Sequence, residues 1–136
     1  MITNVGPRDY TVEEVIPFVT LDRTMREYDG FSVAMNSQRY VLFARDRKCA
    51  VCGIEGTVFR LEHSGPSQPD RAHFNLYAYD ASGDLVLMTK DHIHPRSEGG
   101  KDVQSNYQPM CYPCNQAKGA TVGTDRVVHH FLPPQS

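Results

Sequence analysis

The alternation of apolar and polar positions divides much of the chain into short strands. Apolar residues alternate with polar ones over 57–63 and over 72–79, and the apolar run 85–89 follows after a short break. Such runs are typical of strands. The break contains Asp80 and Gly83, so the last two runs predict a β-hairpin. The segment 64–70 is rich in proline, glycine and serine and predicts a loop.

The segment after Ser37 has apolar residues at helical spacing. Ser37 is a suitable N-cap residue, and Tyr40, Val41 and Ala44 follow at helical intervals. This arrangement predicts a helix over 38–46.

The segment 85–119 predicts a strand, a loop, a second strand and a helix, in this order. Pro95 ends the first strand, 96–105 is a polar loop with two consecutive glycines, and 107–110 is the second strand. Pro113 suits the first turn of a helix and Gly119 its C-terminal cap. We therefore predict a helix over 112–118.

Residues 1–36 have the weakest pattern. Thr11 and Glu14 have the spacing of a capping box, but Pro17 limits the helix that follows to a short turn. We expect an extended segment at 18–21, and the weakly alternating run 31–35 predicts a strand. We interpret 1–36 as an N-terminal extension that packs on a main domain, 37–136, in a chain with a single domain overall.

Composition and charge exclude several classes of protein. A chain of 136 residues fits one domain, and a hydrophobic content of 40% is too high for a disordered chain. No apolar run reaches the ~18 residues of a membrane span, and no signal-peptide core follows Met1, so we expect a non-secreted protein without a membrane. The formal net charge of −2 gives no support to nucleic-acid binding. Five basic residues nevertheless predict a locally basic face: Arg39, Arg45, Arg47, Lys48 and Arg60.

The four cysteines form two Cys-x-x-Cys pairs, Cys49 with Cys52 and Cys111 with Cys114. Two intervening residues let both sulfurs of a pair face one ion, and four thiolates close a tetrahedral zinc site to water. A dithiol redox site and disulfide bonds are the alternatives. The first normally uses one such pair within a βαβ pattern, and the second is disfavoured in a non-exported chain. The pattern therefore favours structural zinc.

Three polar residues between positions 91 and 115 suit phosphodiester hydrolysis, which needs an activated water and a metal that neutralises the phosphate. His92 can act as the base because the ordinary pKa of histidine is about 6.5. Asp91 and Asn115 offer the oxygen ligands that Mg²⁺ prefers. In a regular strand Asp91 and His92 point to opposite faces, so the strand must end or bend for both to reach one phosphate.

Together these motifs resemble the zinc-supported HNH endonucleases, also called the ββα-metal or His-Me finger family. The resemblance covers 38–120 and rests on the cysteine pairs, on Asp91 and His92 before Pro95, and on Asn106 and Asn115. Fourteen residues separate Asp91 from Asn106, and eight separate Asn106 from Asn115. The HNH domain of RNA-guided CRISPR nucleases is similar in this spacing and also has Asn at the last metal position.

The resemblance implies an α+β fold: a ββα-metal core with a Cys₄ zinc site, an extra β-hairpin and the N-terminal extension. It implies that His92 is the general base, that Asp91 and Asn115 hold a catalytic Mg²⁺ or Mn²⁺, and that Asn106 fastens the loop between the strands. For Asn106, the alternative is a turn residue that bonds its own backbone. His94 is a candidate further metal ligand, and a solvent-exposed histidine is the equal alternative.

Three basic residues, Arg96, Lys101 and Lys118, are candidates for phosphate contacts. The alternative for each is a solvated surface group.

The resemblance further implies an enzyme that hydrolyses DNA by nicking or by cleavage of low specificity. It implies a free-standing phage or bacterial protein, in the cytoplasm of a bacterial or phage-infected cell, with a larger packaging or restriction protein as a candidate partner. A zinc-stabilised nucleic-acid-binding or protein-interaction module without cleavage is the alternative, and the missing positive charge favours it mildly. A toxin-type nuclease domain is less favoured, because a chain that starts at Met1 fits a free-standing enzyme better.

Overall fold

A computed structural model describes residues 3–63 and 71–121, so the predicted loop at 64–70 lies outside the described residues. Within these ranges the chain forms eight strands and three α-helices. In chain order they are β1 (Thr3–Asn4), β2 (Tyr10–Thr11), α1 (Val12–Val15), β3 (Met25–Tyr28), β4 (Phe31–Ala34), α2 (Gln38–Arg45), β5 (Gly56–His63), β6 (His73–Tyr79), β7 (Leu85–His92), β8 (Tyr107–Cys111) and α3 (Tyr112–Thr121).

The larger sheet is antiparallel and has the order β1-β5-β6-β7-β8, and β2 also pairs with β5. The predicted hairpin is confirmed: β6 and β7 are joined by a turn in which the Asp80 N–H donates to the Asp84 carbonyl, at 2.9 Å. A second hairpin pairs β3 with β4 in a separate two-stranded sheet. Its turn uses Asp29 and Gly30, both with positive φ, which is typical of tight hairpin turns.

Strand β7 ends before Pro95, as predicted. It extends beyond the apolar run 85–89 to His92, because Lys90, Asp91 and His92 pair in register with β8. The same strand therefore serves as the second strand of the hairpin and as the first strand of the ββα unit formed by β7, β8 and α3. The predicted α+β fold with this core and an added hairpin is confirmed.

The local signals for helix starts hold. The Ser37 hydroxyl accepts from the Arg39 N–H at 3.1 Å and caps α2. Thr11 and Glu14 form a reciprocal capping box at the start of α1, and Pro17 then lies in a 3₁₀ turn, Ile16–Phe18. The end of α3 differs from the prediction: Gly119 lies inside the helix, which continues to Thr121, and does not cap it.

An aromatic cluster joins the N-terminal segment to the larger sheet. Tyr10 and Tyr28 lie edge-on to Phe74, with ring centroids 5.2 and 4.8 Å away. Tyr40 of α2 and Phe59 of β5 pack around the same ring, and all five are buried. The division of the chain at residues 36 and 37 remains a prediction.

No helix among the described residues has the length and apolar character needed to cross a membrane.

Candidate active site

The structure brings the four cysteines together. Their sulfur atoms all lie within 4.8 Å of one another, and those of Cys52 and Cys111 are 3.7 Å apart. Four sulfurs bound tetrahedrally at about 2.3 Å from one zinc ion would be separated by about 3.8 Å. The cluster therefore has the composition and dimensions of a closed Cys₄ zinc site.

The first cysteine pair lies in a tight knuckle. Gly53 has a φ of +79° and donates its N–H to the Cys49 carbonyl at 3.0 Å. Burial alone would raise the pKa of the Cys49 thiol, but backbone N–H groups directed at its sulfur, including those of Val51 and Cys52, bring it to about 7. The knuckle thus stabilises a thiolate before any metal binds.

The zinc cluster is attached directly to the ββα unit. Ala50 of the knuckle donates its N–H to the Pro109 carbonyl of β8 at 2.9 Å. Cys111 is the last residue of β8, and Cys114 lies in α3 immediately before Asn115. Burial raises the pKa of the Cys111 and Cys114 thiols, so zinc binding would have to displace their protons. A bound ion would hold the first turn of α3 against the sheet.

A cavity of about 400 Å³ lies at the end of β7. It brings together several of the predicted residues: Asp91, His92, Asn115, Arg96 and Lys118. Its other lining residues are Lys90, Pro95, Ser97 and Gly119.

Asp91 is almost buried, with 8% of the residue exposed, and is surrounded by donors. Its Oδ2 accepts from Gln108 Nε2 at 3.0 Å and from Lys118 Nζ at 2.6 Å. The same Nζ donates to the His92 carbonyl at 2.7 Å. A cation thus already lies among oxygen ligands at this position, which is the kind of environment a hard divalent ion needs.

A chain of hydrogen bonds orients the Asn115 amide. Asn115 Nδ2 lies 2.8 Å from Thr89 Oγ1, which is 2.7 Å from the Met110 carbonyl. The hydroxyl has one proton and gives it to the carbonyl, so it accepts from the amide nitrogen. The amide oxygen of Asn115 is therefore the atom left for a cation, and together with Asp91 it fits Mg²⁺ or Mn²⁺.

His92 lies against a carboxylate. Its Nε2 is 2.7 Å from Asp102 Oδ1, and its ring lies edge-on to Tyr107 with a centroid distance of 5.1 Å. The hydrogen bond from His92 holds the pKa of the Asp102 carboxyl below its usual value, with help from Arg96. Because an ionised carboxylate only accepts, the proton of neutral His92 lies on Nε2 and its lone pair on Nδ1.

Asp91 and His92 point to opposite faces of β7 and still line the same cavity. Asp91 pairs with Gln108 and contacts α3 through Lys118, whereas the His92 ring packs on Tyr107. The two side chains thus follow the alternation of a regular strand. They line one cavity because β7 ends at His92 and the cavity lies at this end.

Asn106 connects the two ends of the loop between β7 and β8. Its Oδ1 accepts from the His94 N–H at 2.8 Å, and its Nδ2 donates to the carbonyls of His94 and Lys101 at 3.0 and 2.9 Å. These contacts bond the loop on both sides and are those that a loop-fastening residue requires.

Gly99 and Gly100 of the loop are each required as glycine, for different structural reasons. Gly99 has a φ of +92°, a conformation that favours glycine. Gly100 packs so closely that a Cβ atom there would overlap the His94 carbonyl.

The structure does not bring every candidate to the cavity. The ring of His94 lies 2.8 Å from the Glu98 carbonyl through Nε2, and His94 is not among the lining residues. Lys101 contributes its carbonyl to Asn106, and it too does not line the cavity.

Four of the five residues of the predicted basic face make hydrogen bonds within the protein, and in the described part of the chain only Arg60 of these is paired with a carboxylate. Each donates to an oxygen of the chain: Arg39 to Phe74, Arg45 to Gln104, Arg47 to Phe43 and Arg60 to Asp9.

Sequence reasoning missed Asp102, Thr89 and Gln108. Thr89 could have been found, because it lies two residues before Asp91 and so shares its face of a strand. Gln108 could have been found only from the strand register, in which it lies opposite Asp91. Asp102 lies in an irregular loop, where no periodicity indicates which residue meets His92.

Comparison with protein families gives a match over part of the chain. Residues 80–121 match the family model described as HNH endonuclease. The match includes β7, β8, α3, all of the cavity lining and the second cysteine pair, whereas Cys49 and Cys52 lie before it. No curated protein and no solved structure matches the chain.

Proposed function

The chain carries an HNH endonuclease family domain with a four-cysteine cluster, and from this premise we propose that it is a metal-dependent endonuclease that hydrolyses DNA by nicking or low-specificity cleavage. One observation carries the proposal: a single cavity within the family domain is lined by a histidine, a carboxylate and a carboxamide, His92, Asp91 and Asn115. A base and two oxygen ligands are what phosphodiester hydrolysis requires.

In this proposal His92 is the general base. Nδ1 of its imidazole accepts the proton of the attacking water, while Nε2–H remains bonded to Asp102. The carboxylate holds the ring in one tautomer and stabilises the imidazolium that forms. Asp102 therefore acts through His92 as a positioning residue.

Asp91 and the amide oxygen of Asn115 would hold the divalent ion, which would supply charge neutralisation at the phosphate and at the leaving oxygen. Thr89 fixes the orientation of the Asn115 amide, and Gln108 holds the Asp91 carboxylate. Asn106 keeps the loop closed beside His92. Arg96, which also lines the cavity, is placed to contact a phosphate.

Zinc has a structural role in this proposal. All four positions of the cluster are taken by sulfur, so the ion has no open position for water. Its contribution is to hold the first turn of α3, and hence Asn115, against β8.

A zinc-stabilised binding module without cleavage is the second candidate. The net charge of −2 favours it. The complete set of base and ligands in one cavity favours the nuclease. A larger phage or restriction partner and a bacterial or phage-infected cell as the location also remain proposals.

Plasmid nicking by the purified protein tests the proposal. We expect relaxation of supercoiled DNA with Mg²⁺ or Mn²⁺ and none with EDTA. His92→Ala should lower the rate by roughly 10²-fold or more, because general-base catalysis contributes about that factor.

His94→Ala is the matched comparison, since the ring of His94 contacts Glu98 outside the cavity. This variant should retain most of the activity. Undiminished cleavage by His92→Ala would refute the assigned base, and no cleavage by folded, zinc-loaded wild type would favour the binding module.

A further inference from the structure

Lys118 occupies an unusual position for a surface lysine. Its Nζ lies 2.6 Å from the Asp91 carboxylate and 2.7 Å from the His92 carbonyl, and only 28% of its side chain is exposed. Two different oxygen atoms on consecutive residues therefore surround one ammonium group. An ordinary solvated lysine makes neither contact.

The position follows from the geometry of α3. Lys118 comes three residues after Asn115, so the two side chains lie on the same face of the helix. This face is directed at Asp91, whose carboxylate is almost buried and needs a positive partner. The helix thus brings a carboxamide and a cation to the cavity that Asp91 lines.

Resting on the proposed function, we propose that Lys118 is a built-in counter-ion: it occupies the cation position of the metal-free protein, and its ammonium must leave Asp91 before a divalent ion binds there. Mg²⁺ requires oxygen ligands at about 2.0–2.1 Å. Asp91 Oδ2 is already used by Lys118, and two cations at one buried carboxylate repel each other. The ion and the resting ammonium of Lys118 therefore compete for Asp91.

The displaced ammonium has an alternative partner when DNA is present. It is tethered to α3 at the rim of the same cavity, where a phosphate group would lie. A phosphate that accepts from Lys118 removes the competitor of the metal, so DNA and metal each strengthen the binding of the other. The free protein is thereby kept in a state of weak metal affinity.

Metal affinity without DNA tests the inference. Mn²⁺ binding to the zinc-loaded protein would be measured by calorimetry and by electron paramagnetic resonance, for wild type, Lys118→Met and Lys48→Met. Lys48 is exposed and does not line the cavity, so its variant controls for the loss of one positive charge.

We expect Lys118→Met to bind Mn²⁺ tighter by about tenfold, within the usual range of coupling between sites. We expect Lys48→Met to match wild type. Unchanged or weaker binding by Lys118→Met, or no binding by any of the three, overturns the inference.

A measurement on the wild type covers the case in which Lys118→Met does not fold. Trace acetylation with acetic anhydride, followed by mass spectrometry of peptides, reports how freely each lysine reacts. The reactivity of Lys118 relative to Lys48 should rise several-fold when Mg²⁺ is added, because its ammonium leaves Asp91. A constant or falling ratio overturns the inference.

Neither readout uses cleavage. Tighter Mn²⁺ binding by Lys118→Met without plasmid nicking by wild type would support the counter-ion and reject the nuclease. Plasmid nicking by wild type, together with equal Mn²⁺ affinities of wild type and Lys118→Met, would support the nuclease and reject the counter-ion.

Discussion

The cysteine cluster and the cavity at the end of β7 are two candidate cation sites that meet at adjacent residues of α3, Cys114 and Asn115. The first is closed by four sulfurs, three of them on buried residues, and offers no position for substrate. The second is an open cavity lined by oxygen and nitrogen groups, and a lysine takes the place of an ion. The contrast suggests a division of tasks, in which the sulfur site positions the helix and the oxygen site performs the chemistry.

The largest expected effect comes from breaking the closed site. Cys111→Ser removes a fully buried ligand, and structural zinc supplies much of the folding free energy of small domains. We expect loss of zinc, of the cooperative thermal transition and of all cleavage together. Metal content and circular dichroism would measure the first two. A stable, active Cys111→Ser protein would show that the two sites are independent.

A smaller effect is expected from two glycine variants that test the loop and the helix separately. Gly100→Ala forces a Cβ atom onto the His94 carbonyl, so the loop beside His92 must open. We expect cleavage to fall at least about tenfold, as for other displaced active-site groups, with zinc retained.

Gly119→Ala is the matched control. No atom lies within 4 Å of its added Cβ, and alanine favours a helix over glycine by about 1 kcal/mol. The thermal midpoint should therefore be equal or higher. Equal activity of Gly100→Ala and wild type would mean that the loop does not position the base.

A narrower effect, confined to the rate of cleavage, should follow from Asp102→Asn. The variant keeps the size of the side chain but loses the charge that favours Nε2–H of His92. We expect a decrease of about 10- to 100-fold in the rate at saturating DNA, the range typical of residues that orient a functional group.

The Mn²⁺ affinity and the KM for DNA of Asp102→Asn should stay near wild type, and Asp102→Glu should recover part of the rate. A loss confined to KM would instead place Asp102 in DNA binding.

The predictions of secondary structure that were confirmed depend on residues close together in the sequence. Capping of α1 and α2, the β6–β7 turn and the start of α3 each depend on a few neighbouring residues, and the structure has them as predicted. The end of α3 failed because a glycine can cap a helix or lie within it. The apolar run 85–89 did not indicate where β7 ends, because pairing with β8 extends the strand to His92.

The sequence by itself determined the functional groups available to this protein: four thiols in chelating pairs, and a carboxylate, an imidazole and a carboxamide at fixed intervals, Asp91, His92 and Asn115. Spacing along the chain could indicate these groups because the strand and helix that carry them are close in sequence. Only the tertiary structure decided which charges meet. Lys118 neutralises Asp91 across 27 positions, and Asp102 holds His92 across a loop of irregular backbone. Contacts of this kind depend on the register of β7 with β8 and on how α3 packs against these strands. No short sequence pattern indicates either of them.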